Sequence, residues 1–239
     1  MIKQPLRAVL LDVDGTLYHQ GALRCFMGLE LCAMLVSRQT AAHRIWRSLK
    51  YFRRIREELR HLGEPEGSLA MLQYVEAAQR AGEDPAYIEA VVAEWIHQRP
   101  LKYLRRCRRP GLEVFLTFLK SRGIQVGVFS DYPVLDKLQA LGLTETMSLM
   151  LCATDPAINA FKPHPKGFLH ACALWEVPPE EVLYIGDRPE VDACGAAQAG
   201  MPCALLGKRS GVARDGHSAV GYVTFSSFGE LHHAFTPNC

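Results

Sequence analysis

The chain has 239 residues, with 27 Lys and Arg against 25 Asp and Glu and a formal net charge of +2 at pH 7. That length suits one large domain or two small ones with an ample core. The charge is too small to imply nucleic acid, which is not an expected partner, and the ordinary composition excludes a collagenous or low-complexity chain. The eight cysteines include no C-x-x-C pair, so no zinc site is expected, and several lie in apolar runs as small core residues. With no signal-peptide pattern, a reducing cytoplasm is the expected compartment. The longest apolar stretch, 25–36, contains Glu30 and is too short to span a bilayer.

In chain order, 7–11 is apolar and of buried-strand length, and Gly15 ends it. A short irregular stretch through Tyr18 and Gly21 follows. Then Phe26, Leu29, Leu31, Leu35 and Val36 form a dense apolar helical segment. In 41–59, Ile45, Leu49, Phe52, Ile55 and Leu59 recur at helical spacing, with Arg44, Arg47, Arg54 and Arg56 largely off that stripe. Helices are expected over 68–81 and over 85–98, the latter entered through Asp84 as N-cap and Pro85 at the first position. Residues 21–109 are thus read as all helical. From 110 the pattern alternates. Helices are predicted at 111–122, 133–141, 166–174, 190–199 and 228–235. Strands are predicted at 125–130, 148–153, 182–186 and 202–206, with 222–225 as a further one. Alternation of this kind argues for an α/β fold, a doubly wound parallel sheet of Rossmann-like type. The expected division is a core of 1–20 and 110–239 carrying an inserted helical cap, 21–109.

Asp12-Val13-Asp14-Gly15-Thr16 follows the first strand. Ligands bind at the carboxyl edge of such a sheet, and alternation puts Asp12 and Asp14 on one side. Two close carboxylates repel unless a cation or proton joins them, and a hard divalent ion would do so. Ser130 and Asp131 end a second strand, Lys162 lies in the loop at 160–165, and Gly186 and Asp187 end another strand ahead of Asp192. A parallel sheet brings these to the same edge. Each has a plain structural reading as well: Ser130 as a helix cap, Lys162 as a solvated loop lysine, Asp12, Asp14 and Asp187 as turn residues.

Taken together, Asp12-Val13-Asp14-Gly15-Thr16-Leu17, Ser130, Lys162-Pro163 and Gly186-Asp187 with Asp192 resemble the motifs of the haloacid dehalogenase superfamily, in particular its phosphoglycolate phosphatase-like members. Gly195 to Met201 matches the usual continuation of that family, and the resemblance covers 5–22 and 110–235. It implies a Mg2+-dependent phosphatase acting on a small phosphorylated substrate. Asp12 would be the nucleophile forming an aspartyl-phosphate, and Asp14 the acid and then the base. Asp12, the Asp14 carbonyl and Asp187 would hold Mg2+. Ser130 and backbone N–H groups near Gly15 and Asp131 would bind phosphoryl oxygens, and Lys162 would offset charge on the nucleophile and the phosphoryl group. Asp192 would orient Lys162 or a metal-bound water. A phosphomutase of the same superfamily and a catalytically retired binding protein are the alternatives.

The insert carries two basic clusters, Arg44 to Arg56 and Arg99 to Arg109. They read first as solvated helix faces and a basic hinge, then as a funnel for an anionic substrate. Contact with an anionic membrane or a lipid-linked phosphate ranks last. The histidines show no metal-ligand spacing. Hinges are expected at 18–21 and 108–111. Neither substrate nor oligomeric state is legible.

Overall fold

The structure is a computed structural model describing residues 5–37, 39–207, 211–214 and 221–235. The chain opens with β1 (Ala8–Leu11), then five helices: α1 (Gln20–Ser37), α2 (Gln39–Leu59), α3 (Leu69–Ala81), α4 (Pro85–Val92) and α5 (Leu101–Cys107). The alternating part follows as α6 (Leu112–Ser121), β2 (Gln125–Ser130), α7 (Leu135–Leu141), β3 (Leu149–Cys152), α8 (Lys166–Trp175), β4 (Val182–Gly186), α9 (Cys194–Gln198), β5 (Cys203–Leu206), β6 (Gly211–Arg214), β7 (Gly221–Phe225) and α10 (Phe228–Phe235).

The strands form one sheet in the order β3-β2-β1-β4-β5-β7-β6, parallel throughout except for β6, which runs antiparallel to β7. β1 is central because all four of its residues are apolar and buried on both sides. Alternation sends Ala8 and Leu10 into one layer with Phe168 and Ala171 of α8. Val9 and Leu11 enter the other with Phe115 of α6, Leu138 of α7 and Phe228 of α10. The strand order reverses direction between β1 and β4, so the crevice beyond their carboxyl ends is the binding position of this topology.

The helices between β1 and α6 form where the 3.6-residue pattern puts them. Ser68 caps α3 by accepting from Met71 N, and Asp84 caps α4 by accepting from Ala86 N. Three sequence expectations are corrected. α1 begins at Gln20, inside the stretch read as irregular. Residues 101–107 are helical, as the all-helical reading of 21–109 expects, with Leu104 and Cys107 buried beneath the arginines of that basic cluster. Residues 93–98 do not continue α4 as an α-helix but widen into a π-helical turn, with Arg99 N donating to Glu94 O at 2.8 Å, and a second such turn, Pro189–Ala193, precedes α9. β6 carries no alternation in its four residues and owes its existence to pairing with β7. The two connections to the helical block lie side by side. His19 N donates to Cys107 O at 2.8 Å and Arg109 N to Leu17 O at 3.0 Å, with a bridge between Tyr18 and Arg108.

Candidate active site

Asp12 follows β1, and its N–H donates to Ile185 O of β4 at 2.8 Å, which places its side chain at the β1–β4 crevice. The loop then folds back over the end of β4. Gly15 has φ +105°, and a Cβ there would sit 2.1 Å from Asp187 Oδ2, so only glycine permits the approach. The Asp12 carboxylate accepts from Thr16 Oγ1 at 3.1 Å and from Lys162 Nζ at 2.7 Å. Lys162, 2 % exposed, spends its other protons on Asp192 Oδ1 at 2.7 Å and Tyr184 Oη at 2.9 Å. Asp192 also accepts from Tyr184 Oη and, through Oδ2, from the backbone N–H groups of Asp187 and Arg188.

Asp14 has different partners. Its carboxylate accepts from Lys137 Nζ at 2.6 and 2.8 Å, from Tyr18 Oη, and from Ser130 Oγ at 3.2 Å. Strand alternation brings Asp12 and Asp14 to one edge without giving them common contacts. Ser130 also accepts from Tyr132 N at 3.2 Å. Asp131 is tied down: Oδ1 accepts from Lys162 N at 3.1 Å and Oδ2 from Arg60 Nη1 at 2.6 Å.

Asp12, Asp187 and Asp192 offer carboxylate oxygens within 4.8 Å of one another. Burial, with repulsion from Asp192, Asp187 and Asp14, holds the Asp12 carboxyl well above the usual range despite Lys162. Burial and Asp192 push Asp187 up to about 6. Asp187 Oδ1 is buried with no hydrogen-bond partner, while both oxygens of Asp192 are already occupied by donors. Buried acids that resist ionisation, one with an orphaned oxygen, fit a cation held by Asp12 and Asp187. Asp14 is the opposite case: burial disfavours its charge, but Lys137, Tyr18 and Ser130 outweigh it and lower the pKa. Lys162 is raised well above its ordinary value because Asp12 and Asp192 outweigh burial.

The helical insert reaches the same edge with residues that the sequence reading does not assign to the site. Arg56 of α2 is 3 % exposed. It donates to Gln73 Oε1 at 2.6 Å and Asp131 O at 2.7 Å, and stacks over Tyr132 at 3.8 Å and Phe161 at 4.3 Å. The expectation that it lies off the apolar stripe is corrected: Phe52, Arg56 and Leu59 share helical spacing and are all buried, and that spacing is the signal in the sequence. Arg60 donates to Asp131 and to Lys162 O at 2.7 Å. His97, on the π-helical turn, packs edge-on to Tyr132 with centroids 6.1 Å apart, and its buried Nδ1 has no partner. Burial, then Lys137 and Arg56, lower its pKa to about 4. Lys137 carried no signal in the sequence, because only the packing of α7 brings it to Asp14.

A family model described as haloacid dehalogenase-like hydrolase matches residues 6–200. The chain belongs to the haloacid dehalogenase-like hydrolase family. Within it, the chain is 29% identical over 227 residues to a phosphoglycolate phosphatase of Nitrosococcus oceani, covering 89% of each. It is 28% identical over 212 residues to a glyceraldehyde 3-phosphate phosphatase of Methanopyrus kandleri, covering 82% of each. A 2-haloacid dehalogenase from Pseudomonas syringae shares the fold of this haloacid dehalogenase-like hydrolase, with TM-score 0.66 at 22% identity over 96% of this chain and 97% of that one.

Proposed function

We propose that the protein is a Mg2+-dependent phosphatase that hydrolyses a small phosphate monoester through an aspartyl-phosphate on Asp12. The observation that carries the reading is Asp12, held by Lys162 and Thr16, beside an Asp187 whose buried Oδ1 has no partner. The second acid, Asp14, and the relatives named as phosphatases support it. In this reading 21–109 is a cap over a core of 1–20 and 110–239, and the paired connections at Tyr18 and Arg108 are its hinge.

A carboxylate oxygen of Asp12 attacks phosphorus, and the bond from phosphorus to the ester oxygen breaks. Asp14 gives its proton to the leaving oxygen, then takes one from the water that attacks the aspartyl-phosphate, which releases phosphate and restores the Asp12 carboxylate. Without substrate, Lys137 keeps Asp14 ionised, so the proton for the first half arrives with the substrate, as on a phosphate monoanion. Lys162 holds the nucleophile and stabilises charge on the phosphoryl group, with Asp192 fixing its position. Ser130 Oγ and the backbone N–H groups of Asp131 and Gly15 bind phosphoryl oxygens. Asp12, Asp187 and the Asp14 carbonyl would hold Mg2+, which would supply screening between the anionic ester and the anionic nucleophile.

The test is trapping. With an aryl phosphate, whose leaving group needs no proton, Asp14→Asn accumulates a phosphoryl group that mass spectrometry maps to Asp12, and Asp12→Asn accumulates none. Phosphorylation elsewhere, or wild-type turnover in Asp12→Asn, would defeat the mechanism. Transfer to a second sugar hydroxyl faster than to water would make it a phosphomutase.

A further inference from the structure

α1 is apolar on both sides. Its inner face is accounted for: Leu23 is buried, and Met27, Leu31 and Met34 pack against Ile45, Leu49 and Trp95. Its outer face is not. Leu29 is 68 % exposed, Leu35 41 % and Val36 91 %. Cys25 and Cys32 are exposed on the same helix. On α2, Trp46 is 47 % exposed, with Lys50 Nζ 5.2 Å from its ring. Exposed apolar surface of this extent marks a place where something docks.

Charge decides what docks. The sole acid of α1, Glu30, is bound by Arg99, Lys102 and Tyr103, which, against burial, hold its pKa at about 2. It cannot face a partner. On α2, Arg44 and Arg47 are paired with Glu83, and Arg54 with Glu58, so that flank is neutralised. Arg24, Lys50 and Arg53 are exposed and, among the described residues, have no acidic partner. The apolar face is therefore accompanied by cations, while the acids of α1 and α2, Glu30, Glu57 and Glu58, are all paired. A two-fold dimer through this face would set those cations against their own copies. An anionic lipid surface meets both features, taking the apolar side chains between its headgroups and the cations at its phosphates. No helix among the described residues is long and apolar enough to cross a membrane.

We propose that the α1–α2 hairpin docks on an anionic lipid surface through Leu29, Leu35, Val36 and Trp46, with Arg24, Lys50 and Arg53 as its electrostatic contacts. The full chain would be mixed with vesicles of phosphatidylcholine alone or of phosphatidylcholine with phosphatidylglycerol, followed by flotation and tryptophan emission. Trp95 and Trp175 are buried, so a blue shift reports Trp46. The expected result is binding to the phosphatidylglycerol vesicles with a blue shift, weakened by salt. Leu29→Asp and Val36→Asp should abolish it, and Lys50→Gln or Arg53→Gln should each weaken it roughly fivefold. These side chains are exposed, so an unchanged melting curve verifies the fold without reference to catalysis. No binding to either vesicle, or equal binding to both, would overturn the proposal. So would light scattering that finds a dimer broken by Leu29→Asp, since a second copy would then cover the face.

Discussion

At the carboxyl edge of the sheet, Asp12, Asp131, Asp192, Lys137 and Lys162 are buried together; on the outer face of α1, Leu29 and Val36 stand in solvent. Each region inverts the usual rule for which side chains go inside. The edge tolerates its charges because Lys162 spends its protons on Asp12, Asp192 and Tyr184, and Asp14 is filled by Lys137, Tyr18 and Ser130. Among the described acids of this edge, Asp187 keeps a buried oxygen without a partner. On α1 the inversion is uncompensated, since no described residue covers those side chains. A compensated inversion points to chemistry at the site, and an uncompensated one to a partner.

The largest expected effect comes from emptying the centre of the buried network. Lys162→Met leaves Asp12 and Asp192 without their cation and should cost about 3–5 kcal/mol in urea unfolding, with activity down at least about a hundredfold. Asp187→Asn should do the reverse to the metal-free protein. It removes a carboxylate that burial and Asp192 already push up to about 6, so the melting temperature should hold or rise while the increase on adding Mg2+ disappears. A lower melting temperature without metal would show that the edge is fully compensated as it stands.

Within α2 the same contrast can be made between two arginines. Arg56→Met removes a buried cation from Gln73, Asp131 O and the Tyr132 ring and should destabilise by about 3 kcal/mol. Arg54→Met breaks an exposed pair with Glu58 and should cost under about 0.5 kcal/mol. Equal losses would mean that burial of Arg56 does not matter.

His97 ties the insert to the edge through pH. Burial, with Lys137 and Arg56 nearby, lowers its pKa to about 4 from 6.5, so the unfolded chain binds the proton first as pH falls. Its contribution to stability is complete above about pH 6.5 and is lost on acidification toward pH 4. His97→Gln should flatten that part of the stability curve, and the imidazole NMR titration of wild type should fall near 4. The smallest effect is on α1. Cys25 and Cys32 should alkylate within a brief exposure of native protein while Cys107, Cys152, Cys172 and Cys203 do not, as read by mass spectrometry. Protection of Cys25 and Cys32 in solution would mean that the face is covered by another copy.

The sequence by itself determined what depends on local pattern. Strand period, helix period and the ends of strands were enough to place Asp12, Asp14, Ser130, Lys162 and Asp187 on one edge, because a parallel sheet points every strand the same way. The caps Ser68 and Asp84 were legible for the same reason, since a cap acts within a few residues. Tertiary structure decided which charges meet. Lys137 reaches Asp14 across 123 positions and Arg60 reaches Asp131 across 71, distances over which no periodicity carries information. It also decided that α1, apolar on both sides, would be covered by described residues on one side only. Periodicity records which side chains avoid water, but whether a neighbour arrives to shield them is settled by packing.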